Sequence, residues 1–228
     1  MPAPDLLKSC KPGPIVIDNI VKEYETTIGK RRILDGISFT VAPGKKIAVL
    51  GRNGAGKSTL VKIIGGVELP TSGHILRGMS MSWPLALAGG FEPSMSGFDN
   101  IRFIARIYNK SIEDAVAFVD DFAELGRQLY LPVRNYSSGM RARLAFALTL
   151  AVDFDCFLID EVIAVGDARF HAKCHEALFV ERRHCAMILV SHDMVILKEY
   201  CSQALVLKNG RGKVFDDIDY ALSIYSTL

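Results

Sequence analysis

The sequence predicts an α/β fold: a mostly parallel sheet packed by helices, an antiparallel β ribbon at its start and a helical insertion in the middle. Three observations carry that reading. Two short apolar runs, Cys156–Ile159 and Ala186–Val190, are bounded by polar residues, the pattern of strands covered on both faces. The segment between them, Ala168 to Arg182, has the length of a crossover helix. A glycine-rich loop, Gly51 to Ser58, separates an apolar run ending at Leu50 from a stretch of helical spacing. The chain has 228 residues, 50% of them apolar, enough to bury the core such a domain needs.

In chain order, residues 1–14 are proline-rich and read as a leader of little structure. Val16 to Tyr24 and Arg32 to Ala42 read as two strands joined by a turn around Gly29 and closed by Pro43-Gly44, an antiparallel ribbon. The basic run Lys30-Arg31-Arg32 at its tip reads as a solvated turn, with a binding role as the alternative. Lys45 to Leu50 leads into the glycine loop, and Ser58–Val67 is helical by the spacing of Leu60, Val61, Ile63 and Ile64. Asp99–Tyr108 and Ser111–Leu125 also read as helices, the second opening with Ser111-x-x-Asp114, a variant of the capping box. Its Ile112, Val116, Val119 and Phe122 share a face, leaving Glu113, Asp114, Asp120 and Asp121 to water. Ser94 to Tyr136 therefore reads as a helical insertion, within a helical subdomain spanning roughly 94–150 of a single domain over 15–228. From Ala204 a strand, an Asn209-Gly210 turn and a second strand precede a final short helix.

Composition narrows the function. With 27 basic and 25 acidic side chains the formal charge is +2, so the dense basic surface of a nucleic-acid binder is not expected. The longest uncharged stretch, Gly78 to Phe91, is broken by Pro84, Gly89 and Gly90 and is too short to cross a bilayer. Five widely spaced cysteines with no CxxC read as reduced, mostly buried thiols, and the N-terminus has no secretion-signal layout. His171 and His175 are four apart with Cys174 nearby, but no further ligand stands at zinc-like spacing.

Gly51-Arg52-Asn53-Gly54-Ala55-Gly56-Lys57-Ser58 satisfies GxxxxGK[ST] between an expected strand and an expected helix, the context that confirms a phosphate loop. Gly51, Gly54 and Gly56 permit positive φ and close backbone approach, so successive N–H groups aim at phosphate oxygens. The helix beginning near Lys57 adds its unsatisfied N–H groups, Lys57 a full charge at the β- and γ-phosphates, and Ser58 a hydroxyl for Mg²⁺. Cys156-Phe157-Leu158-Ile159 ends in Asp160 and Glu161 at the carboxyl edge of the sheet. There Asp160 would hold Mg²⁺ and Glu161 would polarise the attacking water.

Tyr136-Ser137-Ser138-Gly139-Met140, ahead of Asp160, resembles the Leu-Ser-Gly-Gly-Gln signature of ABC-transporter ATPases; Ser137 and Gly139 match, while Tyr136, Ser138 and Met140 depart. The resemblance runs from Ile15 to Leu228 and implies an ABC-type P-loop NTPase with a RecA-like core, an antiparallel β subdomain and an inserted helical subdomain. It implies ATP and Mg²⁺ as ligands, held by Asn53, Ala55 and Thr59 besides the loop residues above, with Tyr24 stacking on adenine. Ser137, Ser138 and Gly139 would contact the nucleotide, as would Asp167 in the loop Ala164-Val165-Gly166-Asp167, and His192 matches the histidine that braces the γ-phosphate. Where the family carries a metal-contacting glutamine this chain has Glu92, read either as a metal ligand or as a partner-facing hinge residue.

Fewer than ninety residues separate loop and signature and no heptad run is present, which disfavours the chromosome and repair branch of that family; a single cassette disfavours its translation factors. Ser82-Trp83-Pro84-Leu85, Gly89-Gly90-Phe91 and the altered signature look like the subfamily that exports capsular polysaccharide and related bacterial glycans. That implies a head-to-tail dimer on the cytoplasmic face of the inner membrane, working with permease subunits and periplasm-spanning export components and with no nucleic acid. An ATP-sensing regulatory module and a transporter of another substrate are the alternatives. The Gly78–Phe91 stretch, with the only tryptophan, reads as a permease contact surface or as an internal edge strand and turn.

Overall fold

The computed structural model describes residues 12–27, 29–85, 91–160 and 167–228. Strands β1 (Ile15–Thr26) and β2 (Gly29–Val41) form the expected antiparallel ribbon, paired from Ile15 opposite Val41 to Thr26 opposite Gly29 with shifts of register between Ile17 and Glu23. The basic run therefore lies within β2. β3 (Lys46–Gly51) leads through the glycine loop into α1 (Lys57–Ile64). β4 (Ser72–Arg77) then returns to pair with the other side of β1 and completes a three-stranded sheet of order β2-β1-β4. β1 bulges between Ile17 and Ile20, with Asn19 at φ 48°, and a Cβ at Gly73 would lie 2.3 Å from the Asn19 carbonyl oxygen. Only glycine lets β4 approach that bulge.

The helical segment holds α2 (Gly97–Ile107), α3 (Ile112–Ala123) and α4 (Ser138–Leu150), joined by 3₁₀ turns at Gly126–Tyr130 and Val133–Asn135. Ser111 caps α3 as its sequence indicates, accepting from the Asp114 N–H at 3.2 Å. The chain then runs through β5 (Cys156–Asp160), α5 (Ala168–His175), β6 (Ala186–Val190), α6 (Met194–Tyr200), β7 (Gln203–Lys208), β8 (Arg211–Phe215) and α7 (Ile218–Ser226). α5 continues as a π-helical turn over Glu176–Val180, so the crossover is helical but not one regular α-helix. The second sheet has the order β5-β6-β3-β7-β8, parallel except for β8, which returns through Asn209 and Gly210 at φ 51° and 77°. Two consecutive positive φ values suit the tight hairpin that Asn-Gly favours.

The parallel strands are covered on both faces, and their residues sort by alternation. Ile47, Val49, Leu158, Ile188 and Leu205 join one cluster with α1 and the antiparallel sheet. Ala48, Leu50, Phe157, Leu189 and Val206 join a second with the helical segment and α5 to α7. Continuous apolar runs are what such two-sided burial demands. Met81 to Leu85 runs along β5: Met81 bridges Cys156, and the Leu85 N–H donates to the Leu158 carbonyl at 3.0 Å. Trp83 packs against Tyr108 and Phe154. This part of the uncharged stretch is thus an internal edge; residues 86–90 lie outside the described residues. Cys156, Cys174, Cys185 and Cys201 are free and buried, as expected of reduced thiols. Among the described residues no helix is long and apolar enough to cross a membrane.

Candidate nucleotide-binding site

β3 brings the chain to the carboxyl edge of the parallel sheet, and the loop turns there over the start of α1. Gly56 sits at φ 103°, and a Cβ on it would come within 2.7 Å of Leu34 Cδ2 and 3.1 Å of the Ile33 carbonyl oxygen. The antiparallel sheet thus presses on the loop at a place where a side chain has no room. The same residue begins α1 and offers no side-chain cap. Every other α-helix among the described residues has one, from Ser96, Ser111, Ser137, Asp167, Asp193 and Asp217. The first N–H groups of α1 are therefore left for a ligand, with the positive end of the helix behind them.

Lys57 is only 9% exposed, and its Nζ donates to the Gly51 carbonyl at 2.7 Å and the Arg52 carbonyl at 3.4 Å. These bonds fold the ammonium back over the loop, so that a full charge stands against its first two residues. Two cavities flank the loop. One, of about 510 Å³, is lined by Tyr24, Arg31 and Ile33 of the ribbon and by Asn53, Gly54 and Gly56–Thr59. The other, of about 680 Å³, lies between the loop from Arg52 to Ala55 and His192, Lys208 and Tyr225. Tyr24, Asn53, Gly54, Gly56, Lys57, Ser58 and Thr59 are thus gathered around one cleft, and Ala55 and His192 face the other. Tyr24 is partly exposed at 37%; burial, then the neighbouring Glu68 carboxylate, raise its phenol pKa.

Asp160 ends β5 opposite Val190 of β6. Glu161 and Ala164 to Gly166 lie outside the described residues. Asp167 caps α5, accepting from the Phe170 N–H at 2.9 Å, and pairs with Arg143 of α4 at 3.0 Å. The Phe170 N–H first, and Arg143 after it, hold its carboxyl below the usual carboxylate range. His192 precedes the Asp193 cap of α6, and its Nδ1 lies 3.4 Å from the Tyr225 hydroxyl.

The signature segment opens α4. Ser137 and Ser138 are exposed, and the Ser137 hydroxyl accepts from the Met140 N–H at 3.2 Å. Neither flanking cavity is lined by Ser137, Ser138 or Gly139. Tyr136, the departure from leucine, is buried at 3% exposure and donates its hydroxyl to the Gln128 carbonyl at 2.7 Å. Its oxygen fills the space a Cβ at Gly97 would need, 2.5 Å away, so the aromatic is matched by a glycine across the helical segment. Glu92 turns its carboxylate onto Ser94, accepting from the hydroxyl at 2.7 Å and the N–H at 3.2 Å, which lowers its pKa. The fully buried Asn100 fixes the Glu92 backbone by accepting from its N–H at 2.8 Å and donating to its carbonyl at 3.1 Å. Sequence reasoning passed over Asn100, Arg143 and Tyr225; a buried asparagine one turn into a helix carries no signal until its partners are in place.

The glycine loop, the uncapped helix behind it and the lysine folded over it define a nucleotide-binding domain of the P-loop class. Within that class the chain belongs to the ABC transporter family, whose model matches residues 34–164. It is 55% identical to the capsule polysaccharide export ATP-binding protein CtrD of Neisseria meningitidis, over 94% of this chain and 99% of that one. It is 52% identical to the ATP-binding protein BexA of Haemophilus influenzae, over 93% and 98% of the two chains. The polysialic acid transport ATP-binding protein KpsT of Escherichia coli is 44% identical over 92% and 98%. Among solved structures, the ATP-binding subunit of an ABC transporter superposes with a TM-score of 0.78, covering 93% of this chain and 99% of that one. The ATP-binding cassette MJ0796, bound to ADP and phosphate, does so with 0.74 over 89% and 98%. At 19% identity these two speak for the fold.

Proposed function

We propose that this chain is the ATP-hydrolysing subunit of a bacterial exporter of capsular polysaccharide, acting from the cytoplasmic face of the inner membrane on a separate permease. The observation that carries this reading is the 55% identity to a capsule export ATP-binding protein along nearly the whole of both chains. The phosphate loop beside it keeps its lysine, its glycines and the open start of α1. The triphosphate seats on the N–H groups of the loop, with the base toward Tyr24 and Lys57 at the β- and γ-phosphates. The Ser58 hydroxyl and the Asp160 carboxylate, both oxygen donors at the carboxyl edge of one sheet, suit a hard divalent ion. Mg²⁺ bound there would neutralise phosphate charge. Glu161 orients the attacking water, and His192 braces the γ-phosphate with a ring nitrogen.

Two copies bind head to tail, each offering Ser137 to Gly139 to the nucleotide on the other, so that the triphosphate joins the halves and its cleavage parts them. The permease, and export components beyond it, take up that movement. Phosphate release by the chain with its permease tests the reading, alongside capsule export in cells lacking the native subunit. Glu161→Gln is expected to bind ATP, stop turnover and accumulate dimers on size exclusion; normal hydrolysis by that variant would remove Glu161 from the mechanism. Glu92→Gln keeps an oxygen for Ser94, so its fold should hold. A fall in hydrolysis would then make Glu92 a site residue, whereas lost export with hydrolysis intact would make it a coupling residue.

A further inference from the structure

Three consecutive basic residues of β2 meet different fates. Arg32 is committed: its Nε contacts Glu23 at 2.8 Å and its guanidinium Asp35 at 2.7 Å, while Asp35 also receives Arg211 at 3.0 Å. Arg31, turned to the opposite face by strand alternation, makes no side-chain hydrogen bond or ion pair among the described residues. It lines the same cleft as Tyr24, Gly54 and Lys57, and it stands directly opposite Tyr24 in the ribbon. Ile33, two residues along the same face, places its carbonyl against Gly56 at the start of α1. One strand step of about 6.6 Å then separates Arg31, beside Tyr24, from the residue that touches the loop, a distance that a side chain as long as arginine's can span. A nucleotide with its base at Tyr24 and its terminal phosphates at Lys57 must carry its phosphate chain past this point.

We infer that Arg31 is a second cation of the nucleotide site, reaching from the ribbon to the phosphates on the base side of the loop. The inference rests on the ATP-binding reading above. Among the described residues Lys57 is the only other cation lining this cleft, and a triphosphate brings more negative charge than one ammonium answers. A guanidinium with no partner among the described residues, on a wall formed by a paired strand, offers paired N–H donors to phosphate oxygens. Because Arg31 is exposed, water and salt screen the interaction, and its effect is on affinity and not on whether the nucleotide binds at all.

Calorimetric titration of the purified chain with ATP and with ADP, at low and high salt, tests this. Arg31→Gln is expected to raise the dissociation constant for both nucleotides roughly tenfold at low salt. Arg31→Lys should recover most of that loss, and the gap to the unsubstituted chain should narrow as salt rises. Lys30→Gln, one residue away on the other face, should bind as the unsubstituted chain does. Arg31→Gln binding within twofold of the unsubstituted chain overturns the inference while leaving the nucleotide site intact. So does an equal loss in Arg31→Lys, which would mean contact with the base and not with phosphate. Failure of the unsubstituted chain to bind ATP would instead defeat the functional reading itself. Thermal unfolding without nucleotide verifies that each variant is folded.

Discussion

The proposed function assigns phosphate to the starts of both α1 and α4, and the two are built differently. α1 begins on a glycine with positive φ, has no side-chain cap and carries a buried lysine across its mouth. α4 begins on Ser137, whose hydroxyl already accepts from the Met140 N–H, and Ser137 and Ser138 are exposed outside both flanking cavities. The first site is complete within one chain: donors, charge and cleft are all present. The second satisfies itself, with the Ser137 hydroxyl already engaged by the Met140 N–H. Such a division suits a machine in which one copy holds the nucleotide and the other senses it.

The largest effect should come from the first site. Lys57→Ala removes the charge at the centre of the loop and leaves the Gly51 carbonyl without its donor. ATP turnover is expected to fall by about a hundredfold or more, measured by phosphate release, and unchanged kinetics would reject the site. Gly56→Ala comes next: a residue at φ 103° with Leu34 and the Ile33 carbonyl in its way should lose about 2 kcal/mol of stability in chemical denaturation and most nucleotide affinity. Ser137→Ala should cost about 1 kcal/mol through the lost cap. It should leave ATP binding by the isolated chain alone and depress turnover only in the assembled transporter. If the isolated chain lost affinity as Gly56→Ala is expected to, the contrast between the two helix starts would be wrong.

The smallest effect concerns the tie between α4 and α5. Asp167 has its carboxyl held below the ordinary 3.8 by the Phe170 N–H and Arg143. A lowered native pKa means the contribution is present above the unfolded value and is lost as pH falls through the folded one. The difference in melting temperature between Asp167→Asn and the unsubstituted chain should therefore be small at pH 7 and shrink further toward acid. A difference that grows on acidification would contradict the assignment.

Much of this molecule was legible residue by residue. The phosphate loop is eight contiguous positions whose chemistry is local, so Gly56, Lys57 and Ser58 declare themselves without a fold. The Ser111 cap and the Asn209-Gly210 hairpin are equally local, and the apolar runs of β5 and β6 announce burial on both faces. Other features depend on segments far apart in the chain. β4 becomes a third strand because Gly73 fits beneath the bulge at Asn19, and Met81 to Leu85 becomes an edge of β5 through bonds to Cys156 and Leu158. Tyr136 replaces leucine at the signature because Gly97, on another helix, makes room for its hydroxyl. Arg31 and Arg32 are neighbours of the same chemistry, and only the ribbon's register with β1 sends one to Glu23 and the other to the cleft. Turn, cap and loop chemistry depends on backbone conformation over a few residues, which composition and spacing encode. The destination of a side chain depends on which strand lies across from it, and that is decided when the chain closes on itself.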